Sequence, residues 1–266
     1  MSILSNLAYI HPEAKIGNNV TIDAFAFIDK NVEIGDGTHI HPHASILSGA
    51  RIGKNNEIFE NAIISATPQD FRWKGEDSLV IIGDNNKIRE QVIINRSIEK
   101  DGKTEIGSNS FIMAQTHIGH DSKVGNYCVL GNGVKIAGDV IINNYSILSS
   151  GVIVHENCHL GEWTLIKGGC RVNGNVPPFA VMAHNPICYF GVNSYILKKA
   201  NKSEHIIDDI AKCYRHVYQT GTSTFNALRR IKEDVDASPE RDAIIFFIEN
   251  HNMNLAAVPL RDSYNY

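Results

Sequence analysis

The 266-residue chain lacks any apolar run of about 18 residues, so no membrane-crossing helix is expected. Its start, Met1-Ser2-Ile3-Leu4-Ser5-Asn6, has neither the basic opening nor the continuous apolar stretch of a secretory leader, which points to a cytoplasmic protein. An excess of positive charge is also missing. With 25 Lys and Arg against 29 Asp and Glu the net charge is −4, and no basic footprint for nucleic acid results. Cysteine is sparse: five residues without paired spacing argue for reduced thiols rather than a disulfide framework. Over the first two thirds of the chain the apolar spacings of three and four that mark an amphipathic helix are absent as well.

A period of six is there instead. Stepping from Ile10 through Ile16, Ile22 and Ile28 to Val172, 25 of 28 positions are Ile, Val or Leu, the exceptions being Asp70, Glu76 and Lys100. The residue two before each step is small or β-branched, as at Ala44, Thr104, Thr116, Ser122, Cys128, Ser146 and Cys158. Side chains two apart on a strand share a face, so each hexapeptide sends one large and one small residue inward and turns a corner with the rest. Gly17, Gly35 and Gly53 add a period of eighteen, so three hexapeptides make one coil and residues eighteen apart stack at ~4.8 Å. The fold expected is mainly β, a triangular parallel β-helix over residues 1–186, with loops leaving it near 65–79 and 96–103. Pro177-Pro178 is expected to end the repeat, and Phe71 and Trp73 of the first loop to find cover from water.

From about Ile187 the pattern turns helical, giving an α-helical carboxy-terminal domain over 187–266. Ser203 is placed to cap a helix running through Gln219, Thr224 to Val235 reads as a second, and Ser238-Pro239 starts a third reaching about Asn250. These helices are expected to cover the open end of the prism, whose last coil otherwise exposes strand edges. The tail after Met253 carries no signal.

The densest polar cluster is QTHIGHD, Gln115 to Asp121. Ile118 is an inward step, so His117 points outward and His120 sits at the next corner. Eighteen residues beyond His120 lies Gly138, and eighteen further lies Glu156 with His155 beside it. Acyl transfer to a sugar hydroxyl needs a base with a pKa near 6.5 and a bare N–H for the oxyanion; His120 and Gly138 offer these, and Asp121 can hold the imidazole in its useful tautomer. At an outer corner, His120 is expected to matter for turnover and little for stability. Cys128, Cys158 and Cys170 fill small inward positions, and no Gly-x-Ser-x-Gly elbow occurs, so direct attack is favoured over an acyl-enzyme. His117-x-x-His120 has no third histidine at matching spacing, so no metal is expected, and His39, His41 and His43 read as surface residues without a role.

The stretches QDFRWKGE (69–76), THIGHD (116–121), GGC (168–170), VPPFAVMAHNP (176–186) and GVNSYILKK (191–199) resemble the UDP-N-acetylglucosamine O-acyltransferases, which begin lipid A synthesis, and the resemblance spans nearly the whole chain in order. It implies a left-handed helix and a homotrimer with active sites between subunits. It also implies transfer of an (R)-3-hydroxyacyl group to the sugar 3-position from acyl carrier protein, whose phosphopantetheine carries the donor, with no separate cofactor. By the same resemblance His120 is the base and Gly138 N–H the oxyanion donor. Asp70, Arg72, His117, His155, Glu156 and Asn193 would serve the sugar nucleotide. Lys198 and Lys199, with Lys202, form a basic cluster suited to an acidic carrier or a diphosphate, and Gly168 and Pro186 stand where acyl length is tuned. Asp139 and Asn95 occupy positions where the family often has histidine, Glu156 replaces glutamine, Arg72 replaces lysine, and Ala200 departs from a usual basic residue. These changes surround the sugar and leave room for a 3-amino acceptor. A sugar N-acetyltransferase using acetyl-CoA and a non-catalytic trimer are the competing readings.

Overall fold

The computed structural model describes residues 2–251 together with Leu255 and Ala256. Rungs mostly of two residues, separated by turns, wind into a left-handed prism whose three faces are parallel except for the last strand of the first. The first face begins at Ile3–Leu4 and has eleven strands, the second begins at Tyr9–Ile10 and has nine, and the third begins at Lys15–Ile16 and has eight. Rungs this short carry little of the strand twist that makes long crossovers right-handed. The rungs stack with the expected spacing, Ile22 on Ile40 and Ile118 on Ile136. Across the first loop the partner lies thirty residues on (Ile58 to Ile88), and across the second twenty-four (Ile82 to Ile106). Both insertions are whole multiples of six, so inward residues stay inward beyond them.

The large inward positions are buried almost without exception beyond the first coil, each removing an Ile, Val or Leu from water at a gain of about 1.5–3 kcal/mol. The small positions also carry hydroxyls, and these are satisfied inside the column. Thr116 Oγ1 donates to Gly131 O at 3.1 Å, Ser122 Oγ to Ala137 O at 2.9 Å and Ser146 Oγ to Gly161 O at 3.0 Å. The third residue after most inward steps adopts positive φ, as at Asn19, Asn55, Tyr127, Tyr145 and Trp163. At the aromatic corners stacking offsets the strain of that conformation: Tyr145 lies 5.0 Å from Tyr127 and 4.0 Å from Trp163, centroid to centroid.

Two expectations need correction. Pro177-Pro178 does not end the stack, because Val176 bridges to Leu160 and Ala180–Ala183 pairs in parallel with Leu165–Ile166. Prolines are tolerated where no N–H is needed, and Pro178 lies against Gly161, where a Cβ would come within 2.5 Å of the proline nitrogen. Nor is the segment after Ile187 helical at once: Cys188–Val192 forms an antiparallel strand on Ala180–Ala183. Helical periodicity begins only with α1 (Ser194–Lys199) and continues in α2 (Glu204–Tyr218), α3 (Thr224–Asp234) and α4 (Pro239–His251). Ser203 caps α2 by accepting from Ile206 N–H. Tyr214 of α2 is buried and donates to Pro178 O, while Phe247 of α4 meets His159 edge-on at 5.1 Å. Ala256 N–H donates to Asn175 O, so the end of the prism is covered as expected.

Candidate active site

The corner between the second and third faces carries the chemistry. His120 and Asp121 follow the rung His117–Ile118, and Gly138 and Asp139 follow the rung above, Lys135–Ile136. His120 is 7 % exposed. The expected outer-corner histidine is therefore buried, because the first loop folds back over it and Asp70 Oδ2 comes within 3.4 Å of Nε2. The imidazole lies flat against Gly138, where an added Cβ would meet Cε1 at 2.3 Å and Nε2 at 2.4 Å. Only glycine permits that approach. The Gly138 N–H donates to no partner among the described residues.

The orientation of His120 follows from its neighbours. Asp121 accepts from Ser97 Oγ on one oxygen, and on the other from Ile98 N–H at 3.1 Å and His120 Nδ1 at 2.9 Å. A carboxylate cannot donate, so Nδ1 carries the proton in the bond to Asp121, and Nε2 faces the cleft beside Asp70. Asp70 is held ionised, well below the usual carboxylate range, by side-chain and backbone hydrogen bonds from Arg72. Arg72 also reaches Glu156 at 3.0 Å, tying the first loop to the coil two above His120. Burial, with Asp121 nearby, pushes the Asp139 carboxyl up, while His120 and Arg72 oppose the rise.

His117 stands on the adjoining face with Nε2 2.7 Å from Asn95 Oδ1. Asn95 donates its amide to Thr67 O at 2.6 Å, so Oδ1 is the acceptor and His117 Nε2 the donor. Burial, then Lys135 and His120, lower the His117 pKa. His155 is exposed beside Glu156, stacked one rung above Ala137.

A single protomer does not bring the remaining candidates here. Asn193 is buried at the third-to-first corner, donating to Trp163 O at 2.9 Å. Lys198 pairs with Glu204 at 3.0 Å and Lys199 lies over the Tyr195 ring. Gly168 and Pro186 share the first-to-second corner, linked through Asn185, which bonds Gly169 O and Arg171 N at 2.9 Å. Phe71 is fully exposed, against expectation, whereas Trp73 is half-buried under Arg96.

Spacing missed Ser97, Ile98 and Thr104 as supports of Asp121; Thr104 Oγ1 accepts from Asp121 N–H at 2.9 Å. Thr104 was visible as an inward residue, but Ser97 lies in a phase break and leaves no periodic trace. Spacing also hid a potential metal set, Asp23, His39 and His41, whose ligand atoms lie within 4.8 Å of one another. The two rings stack 3.9 Å apart with planes 21° from parallel, so their in-plane lone pairs do not converge, and Asp23 already bonds His39 at 2.7 Å. All five cysteines are buried free thiols, and burial pushes Cys128 and Cys158 up to about 11, unsuited to nucleophilic work.

Comparison with known proteins identifies the family. Residues 175–255 match the family model for UDP-N-acetylglucosamine O-acyltransferase, domain 2, and residues 103–138 match the bacterial transferase hexapeptide model. An acyl-[acyl-carrier-protein]–UDP-N-acetylglucosamine O-acyltransferase of Thermodesulfovibrio yellowstonii is 41% identical over 250 residues, covering 94% of this chain and 97% of that one. The solved UDP-N-acetylglucosamine acyltransferase of Bacteroides fragilis superposes with a TM-score of 0.93 at 44% identity, over 96% of this chain and 99% of its own. The Francisella novicida UDP-N-acetylglucosamine acyltransferase gives 0.93 at 35% identity, over 99% and 97%. With likeness of this extent in both sequence and fold, the chain belongs to the UDP-N-acetylglucosamine O-acyltransferase family and is an acyltransferase.

Proposed function

We propose that the protein transfers an (R)-3-hydroxyacyl chain from acyl carrier protein to the 3-position of UDP-N-acetylglucosamine in a single direct attack. The observation that carries this reading is the placement of His120, its Nδ1 bonded to Asp121 and its Nε2 turned to the cleft beside Gly138. Nε2 takes the proton of the acceptor hydroxyl as its oxygen bonds to the thioester carbonyl carbon. Gly138 N–H stabilises the oxyanion. The C–S bond then breaks, and the imidazolium returns the proton to the departing thiolate of the phosphopantetheine arm.

The functional unit in this reading is a cytoplasmic homotrimer. Asn193, Lys198 and Lys199 stand at a different corner from His120, so a neighbouring subunit would supply them to bind the nucleotide or carrier. Fully exposed Phe71, beside Asp70, would gain cover from the same neighbour. Asp70, Arg72, His117, His155 and Glu156 serve the sugar nucleotide from the base's own protomer, and Gly168 and Pro186 bound the acyl chain.

A second acceptor is favoured by a specific observation. Asp70, Asp121, Asp139 and Glu156 lie around the base, and among the described residues Arg72 pairs with Asp70 and Glu156 alone, a field that suits a basic 3-amino sugar. Transfer assays should pair UDP-N-acetylglucosamine and its 3-amino analogue with 3-hydroxyacyl carrier proteins of graded length. Turnover with either sugar that His120→Ala abolishes is expected. Saturation by acetyl-CoA with no response to acyl carrier protein would overturn the reading in favour of an N-acetyltransferase, and binding without transfer would favour a non-catalytic trimer.

A further inference from the structure

The second loop, residues 96–102, supplies two of the three donors to Asp121, from Ser97 Oγ and Ile98 N–H. Its centre is Ser97, fully buried. Ser97 Oγ accepts from Glu99 N–H at 2.9 Å and spends its own hydrogen on Asp121. Ser97 O is in turn held by Ser78 Oγ at 2.6 Å. The loop is shaped around this hydroxyl, because a Cβ on Gly102 would fall 2.2 Å from Ser97 Oγ. Gly102 N–H closes the turn onto Glu99 O at 3.0 Å, and Leu79 N–H anchors Gly102 O at 3.0 Å.

We infer that Ser97 is a positioning residue for the acyl transfer, setting the orientation and basicity of His120 through Asp121. The inference rests on His120 being the base. A carboxylate accepting three hydrogen bonds shares its charge among them, and each donor removed leaves more for the imidazole. With Ser97 in place, Asp121 fixes the ring while its charge is shared among three donors. Without the hydroxyl, Asp121 loses an anchor and binds the imidazolium more strongly. The other charged groups facing His120 are Asp70 at Nε2, Asp139 on the coil above, His117 on the adjoining face, and Arg72 with Glu156 across the cleft. None of them contacts Ser97 in the described structure, so their contribution is common to the wild type and the variants.

The test is the pH dependence of kcat/KM and the KM for each substrate in Ser97→Ala, Ser97→Thr, Gly102→Ala and His120→Ala, with thermal melts alongside. Ser97→Ala is expected to lower kcat about tenfold with KM nearly unchanged and to move the acid limb up by roughly half a pH unit. Gly102→Ala, which displaces the hydroxyl without removing it, should shift the limb the same way, and Ser97→Thr should restore it. If Ser97→Ala proves unstable, Gly102→Ala and Ser97→Thr decide the matter. An acid limb that stays in place while activity falls only with melting temperature would reduce Ser97 to a structural role and overturn the inference. Activity retained by His120→Ala would sink the base assignment itself, a failure distinguishable because it is independent of Ser97.

Discussion

Replacing Gly138 by alanine tests the site most directly. The added methyl carbon would sit 2.3 Å from His120 Cε1 and 2.4 Å from Nε2, where ordinary van der Waals contact begins near 3.4 Å. The ring must therefore retreat by about 1 Å, since the Gly138 backbone is pinned by Asp139 N–H on His120 O at 3.0 Å and by Asn157 N–H on Gly138 O at 3.3 Å. Retreat strains the 2.9 Å bond to Asp121 or drives Nε2 into Asp70. Misplacing a catalytic group by about 1 Å costs on the order of 100-fold in rate, or ~2.7 kcal/mol, and overpacking adds ~1–3 kcal/mol of destabilisation. Steady-state transfer kinetics and a thermal melt measure the two effects separately. The double variant His120→Ala/Gly138→Ala should be more stable than Gly138→Ala alone, because the methyl then occupies the space the ring vacates. A Gly138→Ala enzyme within threefold of wild-type turnover would refute the stacked geometry.

Other consequences are open to measurement. His159 meets His251 of α4 at 3.0 Å, and burial with that neighbour lowers its pKa to about 4. The folded state thus keeps His159 neutral while the unfolded chain protonates it near 6.5. Stability should rise with pH between about 4 and 6.5 and be lost on acidification through that window, with a linkage ceiling of ~3 kcal/mol that partial exposure reduces to about 1–2. Urea titrations across the window should show a flatter slope for His159→Gln; an unchanged slope would count against this source. Tyr145 holds a positive φ of 61° between two stacked rings, so Tyr145→Ala should cost ~1–3 kcal/mol and Tyr145→Gly less, by the strain it relieves; equal melting temperatures would contradict that account. Arg72→Ala should raise the KM for the sugar nucleotide about tenfold and leave Arg72→Lys intermediate, because an ammonium cannot replace the fork to Asp70; kinetics indistinguishable from wild type would remove Arg72 from the site.

The period of six was enough to establish the prism, its inward residues and the stacking of Gly138 on His120, because in a β-helix sequence distance converts directly into position along one axis. It also carried the cap of α2 at Ser203, where a local hydrogen bond decides the helix start. Where the chain leaves that period, sequence distance stops meaning spatial distance. The strand at Cys188–Val192 exists because Ala180–Ala183 offers an edge to pair with, a partner that helical spacing does not record. The burial of His120, the Arg72 bridge from Asp70 to Glu156, and Ser97 beneath Asp121 all depend on loops folding back onto a corner fixed by residues far away in the chain. Residue types and repeat phase determined which groups could do chemistry; tertiary contacts decided which nitrogen of the imidazole bonds Asp121 and which faces the cleft, since donors from a distant loop fix that carboxylate in place.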